Sequence, residues 1–132
     1  MSVLEITSSQ IQGDLTATIL HLKGPLDRST NDQLLDRARQ SFEDGARHLL
    51  LDLSELDMLT SSGLHAIHTI FRLFTPQGDL DVMHQHRDEP YKSSYFKMVC
   101  PNPQVYYVLN ITGFAQNIFI FNNMNDAIES FK

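Results

Sequence analysis

The chain has 132 residues, of which 42% are hydrophobic and 20% charged, and its 10 Lys and Arg against 16 Asp and Glu give a formal net charge of -6. This length suits one soluble domain built around a single core, residues 1–132. The acidic balance argues against a nucleic-acid-binding surface, because such a surface needs clustered Lys and Arg.

The sequence carries no sign of a membrane span or of an exported protein. No apolar run approaches the ~20 residues of a transmembrane helix, and the N-terminal segment lacks the basic and apolar parts of a secretory signal. We therefore expect a cytoplasmic protein. The single Cys100 excludes an internal disulfide and lacks metal-site spacing, so we interpret it as a small buried hydrophobe.

The N-terminal region predicts a pair of strands. Residues 15–22 alternate in the two-residue period of a strand, which Gly24 and Pro25 are expected to end. A shorter strand is predicted over residues 3–7, and the polar residues 8–14 suit the hairpin that connects the two.

A helix and a buried strand are predicted next. Ser29 with Asp32 resembles a capping box, so we expect a helix to begin there and to end at Gly45. Its expected core side is formed by Leu34, Leu35, Ala38 and Phe42. The nearly continuous apolar run 48–53 predicts a central strand covered on both faces, followed by an acidic loop.

The second half repeats the alternation of helix and strand. Helical spacing of apolar residues from Leu64 to Phe74 predicts a second helix, residues 95–100 a strand, and Asn102 with Pro103 the start of a third helix that ends at Gly113. Residues 118–121 predict a last strand, and Asn123 or Asn125 caps a closing helix. This alternation predicts an α/β sheet with right-handed crossovers.

One segment, residues 79–94, does not fit the alternation and is long for a connection. We interpret it as an insertion into the domain. Leu80, Val82 and His84 could line one side of an additional strand, whereas the part after His86 is polar and interrupted by Pro90.

The most informative stretch is 49–64, in which a buried strand, an acidic loop and the run Thr60-Ser61-Ser62-Gly63 precede an amphipathic helix. Taken alone, that run is a good helix N-cap. Together with Asp52-Leu53-Ser54 and Leu64, however, it resembles the central block of the STAS family, the sulfate-transporter and anti-sigma-factor-antagonist domain. Residues 24–27 resemble the family's turn after its second strand, and residues 99–113, 118–121 and 125–128 resemble its C-terminal elements.

The resemblance implies a mixed four- to six-stranded sheet with helices mainly on one face, and a non-enzymatic module without cofactor or metal. It implies Ser61 as a phosphoacceptor and an anti-sigma factor that is a serine-protein kinase as the partner. Asp27, Asp52 and Asp57 are the acidic groups expected nearby, and the expected partner surface comprises Asp27, Asp57, Thr60, Ser62, Gly63 and Leu64. Thr60 stands where the family has Asp, which bears on kinase recognition.

Two other roles of such domains stay open: a cytoplasmic accessory subunit of a membrane transporter, and a ligand-sensing or scaffolding module in which the insertion covers a small pocket. An enzyme is disfavoured. Ser61, His65 and Asp57 suggest a hydrolase, but the nucleophile elbow is missing. The four histidines His65, His68, His84 and His86 match no metal-binding pattern, and the isolated glycines form no phosphate-binding loop.

Overall fold

The computed structural model describes residues 3–11, 17–85 and 92–131. The strands are β1 (Glu5–Ile11), β2 (Ala17–Leu26), β3 (Leu49–Leu59), β4 (Ser93–Val99) and β5 (Ile118–Phe121). The helices are α1 (Asn31–Glu43), α2 (Ser61–Phe74), α3 (Gln77–Gln85), α4 (Pro103–Ile111), α5 (Phe114–Asn117) and α6 (Met124–Glu129).

These strands form one sheet in the order β1-β2-β3-β4-β5 within the described part of the chain. β1 pairs with β2 antiparallel, and all later neighbours are parallel. The predicted mixed sheet is therefore confirmed. Its parallel strands are joined through helices, as parallel connections require.

The larger core lies on one face of the sheet. Alternate residues of β2, β3 and β4, among them Leu20, Leu51 and Phe96, pack there against α1, α2, α3 and α4. A smaller core on the opposite face joins Ile19, Leu50 and Val99 to Ala127 of α6 and to Phe131, which follows that helix. The helices thus lie mainly on one face, as expected. Cys100 is buried in the larger core, which confirms its interpretation as a buried hydrophobe.

The two N-terminal strands are longer than the sequence predicts. β1 runs to Ile11, so part of the expected hairpin connection belongs to the strand, and residues 12–16 lie outside the described residues. β2 continues through Gly24 and Pro25, which were expected to end it. Gly24 allows this because its φ is +111° and a Cβ there would lie 2.5 Å from the carbonyl oxygen of Val3.

β3 is also longer, and it includes the residues predicted as an acidic loop. Between the pairs His21↔Asp52 and Lys23↔Glu55, β3 advances by three residues and β2 by only two, so β3 contains one extra residue there. A second shift follows at Pro25. Such bulges interrupt the two-residue alternation. The second half of the strand therefore lacked the pattern by which strands are recognised.

Three of the four predicted helix starts have side-chain caps, and the first does not. Asn102 caps α4 and Asn123 caps α6, as predicted, each through its side-chain oxygen. The capping box of Ser29 and Asp32 is wrong. The N-cap of α1 is Thr30, which makes no side-chain cap bond, and Ser29 bonds to Asp27 instead.

The additional strand considered within 79–94 is also wrong. Residues 77–85 form α3, and its Leu80 is buried in the larger core. Residues 86–91 lie outside the described residues, and Ser93 already belongs to β4.

A buried lysine attaches the C-terminal segment to the sheet. Lys97 of β4 is only 6% exposed, and its Nζ donates hydrogen bonds to the carbonyl oxygen and the Oγ of Ser130, both at 3.1 Å. The same ammonium lies 4.3 Å from the ring centroid of Phe131. Burial lowers the pKa of Lys97. The bonds and the aromatic face offset part of the desolvation cost of this charge.

The buried thiol provides a test of the core. Burial raises the pKa of Cys100 to about 11, from an ordinary 9.0. Since the thiolate is the nucleophile, the native protein should react with iodoacetamide at pH 8 about a hundredfold more slowly than the protein unfolded in guanidinium chloride. Equal rates in the two states, followed by mass spectrometry, would contradict this burial.

Candidate functional site

The first turn of α2 is organised by Thr60. This residue has an extended backbone, with φ -101° and ψ 172°, and its Oγ1 accepts a hydrogen bond from the backbone N–H of Gly63 at 3.3 Å. That bond satisfies one of the N–H groups that a helix start leaves unpaired. The N-cap predicted from the sequence is therefore present, and Ser61 is the first residue of the helix.

The same turn is held against the end of β2. The backbone N–H and the hydroxyl of Thr60 both contact the carbonyl oxygen of Leu26, at 3.2 and 3.4 Å. Gly63 is buried at this contact, and a Cβ at Gly63 would lie 2.6 Å from that oxygen and 2.9 Å from Cδ1 of Leu59. Only glycine fits without a shift of the helix. Gly63 is therefore a packing residue.

Asn31 joins the beginnings of α1 and α2. Its Nδ2 donates to the carbonyl oxygen of Ser62 at 2.8 Å, and its backbone N–H donates to the carbonyl oxygen of Asp27 at 3.0 Å. The Oδ1 of Asn31 is buried and has no hydrogen-bond partner within the described part of the chain. The turn before α1 is thus fixed beside the start of α2, a role of Asn31 that no local sequence pattern indicates.

Asp27 lies in that turn, and its carboxylate accepts hydrogen bonds from a neighbouring residue of the same turn. Its Oδ1 accepts hydrogen bonds from the hydroxyl of Ser29 at 2.7 Å and from the N–H of Ser29 at 2.9 Å. The hydroxyl bond in particular, with smaller contributions from the Ser29 N–H and from Thr30, lowers the pKa of Asp27 below its usual value. Asp27 is a carboxylate at neutral pH that shapes the turn next to the site.

Ser61 itself is exposed, and its hydroxyl makes no hydrogen bond within residues 3–11, 17–85 and 92–131. Ser62 and Leu64 are half-buried. Asp57 is exposed near the end of β3, and the neighbouring Met58 side chain is 44% exposed. The start of α2 therefore presents the accessible hydroxyl of Ser61. Apolar residues (Met58 and Leu64) and an acidic residue (Asp57) lie close to it in the sequence.

Asp52 does not belong to this site. Leu59 lies seven residues further along β3, which is roughly 23 Å along a strand. The Oδ2 of Asp52 lies 2.7 Å from Nδ1 of His21, and Nε2 of His21 lies 3.0 Å from Oγ of Ser9. In a neutral imidazole that donates from Nδ1 to the carboxylate, Nε2 would accept from the Ser9 hydroxyl. This chain of bonds links β1, β2 and β3.

The described residues give no support to a hydrolase or to a metal site. Ser61 and His65 are both exposed on α2, and no hydrogen bond joins them among the described residues. No group of three His, Cys, Asp or Glu side chains suited to a metal occurs in the described part of the chain. The side chain of His84 and all of His86 lie outside the described residues, so the four-histidine cluster stays untested.

None of the described helices combines the length and apolarity needed to cross a membrane.

The fold and this site define a class of protein: a mixed α/β domain in which a helix with an exposed first serine follows the central parallel strand. The sequence profile of the STAS domain matches residues 8–81, and the chain belongs to this family. No curated protein matches the chain in sequence.

Solved structures share the fold at low sequence identity. An anti-sigma factor antagonist from Mycobacterium paratuberculosis has a TM-score of 0.73 at 18% identity, over 96% of this chain and 94% of that one. A putative anti-sigma factor antagonist from Thermotoga maritima has a TM-score of 0.74 at 20% identity, over 96% and 93%. The Bacillus cell fate determinant SpoIIAA, in its phosphorylated form, has a TM-score of 0.63 at 13% identity, over 97% and 100%.

The tight approach of α2 to β2 predicts the effect of adding one methyl group. Gly63→Ala should lower the free energy of unfolding by about 1–3 kcal/mol, as overpacking does in well-packed interiors. Gly78→Ala is the matched control, because Gly78 lies in α3 and a Cβ there would meet no atom within 4 Å, and it should be neutral or stabilising by up to about 1 kcal/mol. Urea unfolding of both variants tests this, and equal effects would contradict the packing role.

The hydrogen bonds in the Asp27 turn predict how the Asp27 carboxyl titrates. The Asp27 carboxyl should titrate below its ordinary pKa of 3.8, and Ser29→Ala should move the pKa back upward. Since the folded pKa is lowered, the stabilisation by these bonds is complete above the unfolded pKa and is lost as the pH falls through the folded value. Carbon-13 NMR of the carboxyl measures this. Ser54→Ala is the control, because it removes the equivalent hydroxyl bond to Asp52 within β3 and should leave the pKa of Asp27 unchanged. An unchanged pKa in Ser29→Ala would contradict the assignment.

Proposed function

We propose that this protein is a non-enzymatic regulatory module that acts as an anti-sigma factor antagonist. It binds an anti-sigma factor that is also a serine-protein kinase, through the surface around the first turn of α2. When that partner phosphorylates Ser61, the two proteins dissociate. The observation that carries the proposal is the exposed hydroxyl of Ser61, free of hydrogen bonds within the described residues, at the start of a 14-residue helix in a STAS domain.

The helix start suits an added phosphate. Exposed N–H groups and the helix dipole stabilise a negative charge at such a position by roughly 0.3–1 kcal/mol. The N-cap residue Thr60 is neutral, where the family resemblance leads one to expect Asp. A phosphate on Ser61 would therefore meet no carboxylate at the cap, and the modification should leave the fold intact.

The same phosphate opposes binding of a partner. It adds about -1.5 to -2 charges, which a protein packed over the start of α2 would have to bury. The accessible Met58 and the half-buried Leu64 are the apolar residues that such a partner would cover. A loss of about 1.4 kcal/mol in differential interaction lowers affinity tenfold, so a few kcal/mol suffice for a switch without a conformational change.

Kinase recognition rests on the residues that remain near the acceptor. Asp57 is exposed three residues before Thr60, and the Asp27 turn lies beside Ser62 through Asn31. We infer that these acidic residues, rather than the cap residue, mark Ser61 for the kinase. We propose that partner binding and the phosphorylation of Ser61 both take place in the cytoplasm.

Intact-mass analysis after incubation with an anti-sigma factor kinase and ATP tests the acceptor. We expect one added phosphate, mapped to Ser61, and none in Ser61→Ala. Ser62→Ala is the neighbouring control and should still be modified. Phosphate at another residue, or none with a kinase that binds the protein, would overturn the proposal and leave the transporter-subunit and ligand-sensing roles.

Binding measurements test the switch. Ser61→Asp should weaken partner binding by about tenfold or more, whereas its stability should stay within about 0.5 kcal/mol of the parent. Gln104→Glu is the matched control, because it adds one negative charge to the exposed first turn of α4. Isothermal titration calorimetry should give this control the parent affinity. Equal binding by Ser61→Asp and the parent would contradict the switch.

A further inference from the structure

A groove opens between α1, α2 and α3, on the helical face of the sheet, with a cavity volume of about 390 Å³. Its apolar floor is formed by Leu35, Ile70, Leu73 and Leu80. Ile70 and Leu80 are buried, and the other two are half-buried. The volume falls within the range of sites for small organic ligands. α3 contributes Gln77 and Leu80 to the groove, and it includes the start of the segment that the ligand-sensing alternative placed over a small pocket.

The rim of this groove is basic. Among the described residues that line it, four are basic and none is acidic: Arg39, His65, His68 and Arg72. The last three are spaced i, i+3 and i+7 on α2, so they share one side of that helix, and Arg39 comes from α1. All four are exposed. This clustering occurs in a chain whose net charge is -6.

The arginines are available for a ligand. Neither Arg39 nor Arg72 forms an ion pair within the described part of the chain. The basic groups also act on each other. Burial lowers the pKa of His68, and the charges of Arg72 and His65 lower it further. An anion at this rim would act in the opposite direction and favour the protonated form of His68.

We propose that the groove binds a small amphiphilic organic anion, with its carboxylate or phosphate head at Arg39 and Arg72 and its apolar part on the floor. Arginine suits such head groups because its planar fork donates two parallel hydrogen bonds. The size of the groove favours a small molecule over a macromolecular segment. The proposal is independent of the modification of Ser61.

Octyl phosphate is the probe, used below its micelle concentration in an NMR titration of the amide and histidine ring signals. We expect saturable shifts confined to the facing sides of α1, α2 and α3. Arg39→Gln with Arg72→Gln should weaken binding by about tenfold or more, since each lost charge-assisted bond costs affinity. Lys23→Gln is the matched control, because it removes an exposed cation from β2, away from the groove, and should bind as the parent does.

Two further ligands separate the contributions of head and tail. Inorganic phosphate and octyl glucoside should each bind at least about tenfold more weakly than octyl phosphate, because each lacks one half of the interaction. Equal binding of octyl glucoside and octyl phosphate would overturn the proposal, as would equal weakening by Lys23→Gln. Shifts at the groove only with an acidic peptide would also overturn it, in favour of a protein partner. No kinase or partner is present, so the result does not depend on the proposed switch.

Discussion

The contact between the first turn of α2 and the carbonyl oxygen of Leu26 is the constraint on which the site depends. That oxygen accepts from the backbone N–H of Thr60 and lies 2.6 Å from where a Cβ of Gly63 would be. The helix therefore starts directly at the end of the paired strands β2 and β3. Because the turn is fixed on its inner side by Thr60 and Gly63, its outer side presents Ser61 to solvent in a defined place.

The two faces of the sheet carry different features. The helical face holds the larger core and, above it, the basic groove between α1, α2 and α3. The opposite face is covered in part by α6, and it carries the bonded chain of Ser9, His21 and Asp52. Ser61 lies at neither face but at the edge where β3 ends. A partner at Ser61 and a ligand in the groove would therefore approach α2 at different turns.

Structural features that depend on residues adjacent in sequence could be predicted. Features that depend on how strands pair, or on how distant segments pack, could not. The Thr60, Asn102 and Asn123 caps and the run Ile118–Phe121 follow from local chemistry, and the structure confirms them. The length of β3 was missed because two bulges hide its alternation. Asp52 was expected near Ser61 because residues 54–59 were predicted as a loop, whereas they extend β3 and carry the start of α2 away from Asp52. The residues that line the groove could not be predicted either, since they come from three separate helices.

The bonded chain of Ser9, His21 and Asp52 also bears on how the edge of the sheet is kept in place. β1 is an outer strand whose side chains are mostly exposed, so apolar burial alone defines its alignment weakly. Slippage by one residue would break the Ser9–His21 bond, and it would also displace the carbonyl oxygens of Leu4 and Ile6 from the α1 side chains Gln33 and Arg37 that bond to them. Polar bonds from both sides thus lock the strand against sliding, so the alignment of this edge is set by hydrogen bonds where apolar burial defines it only weakly.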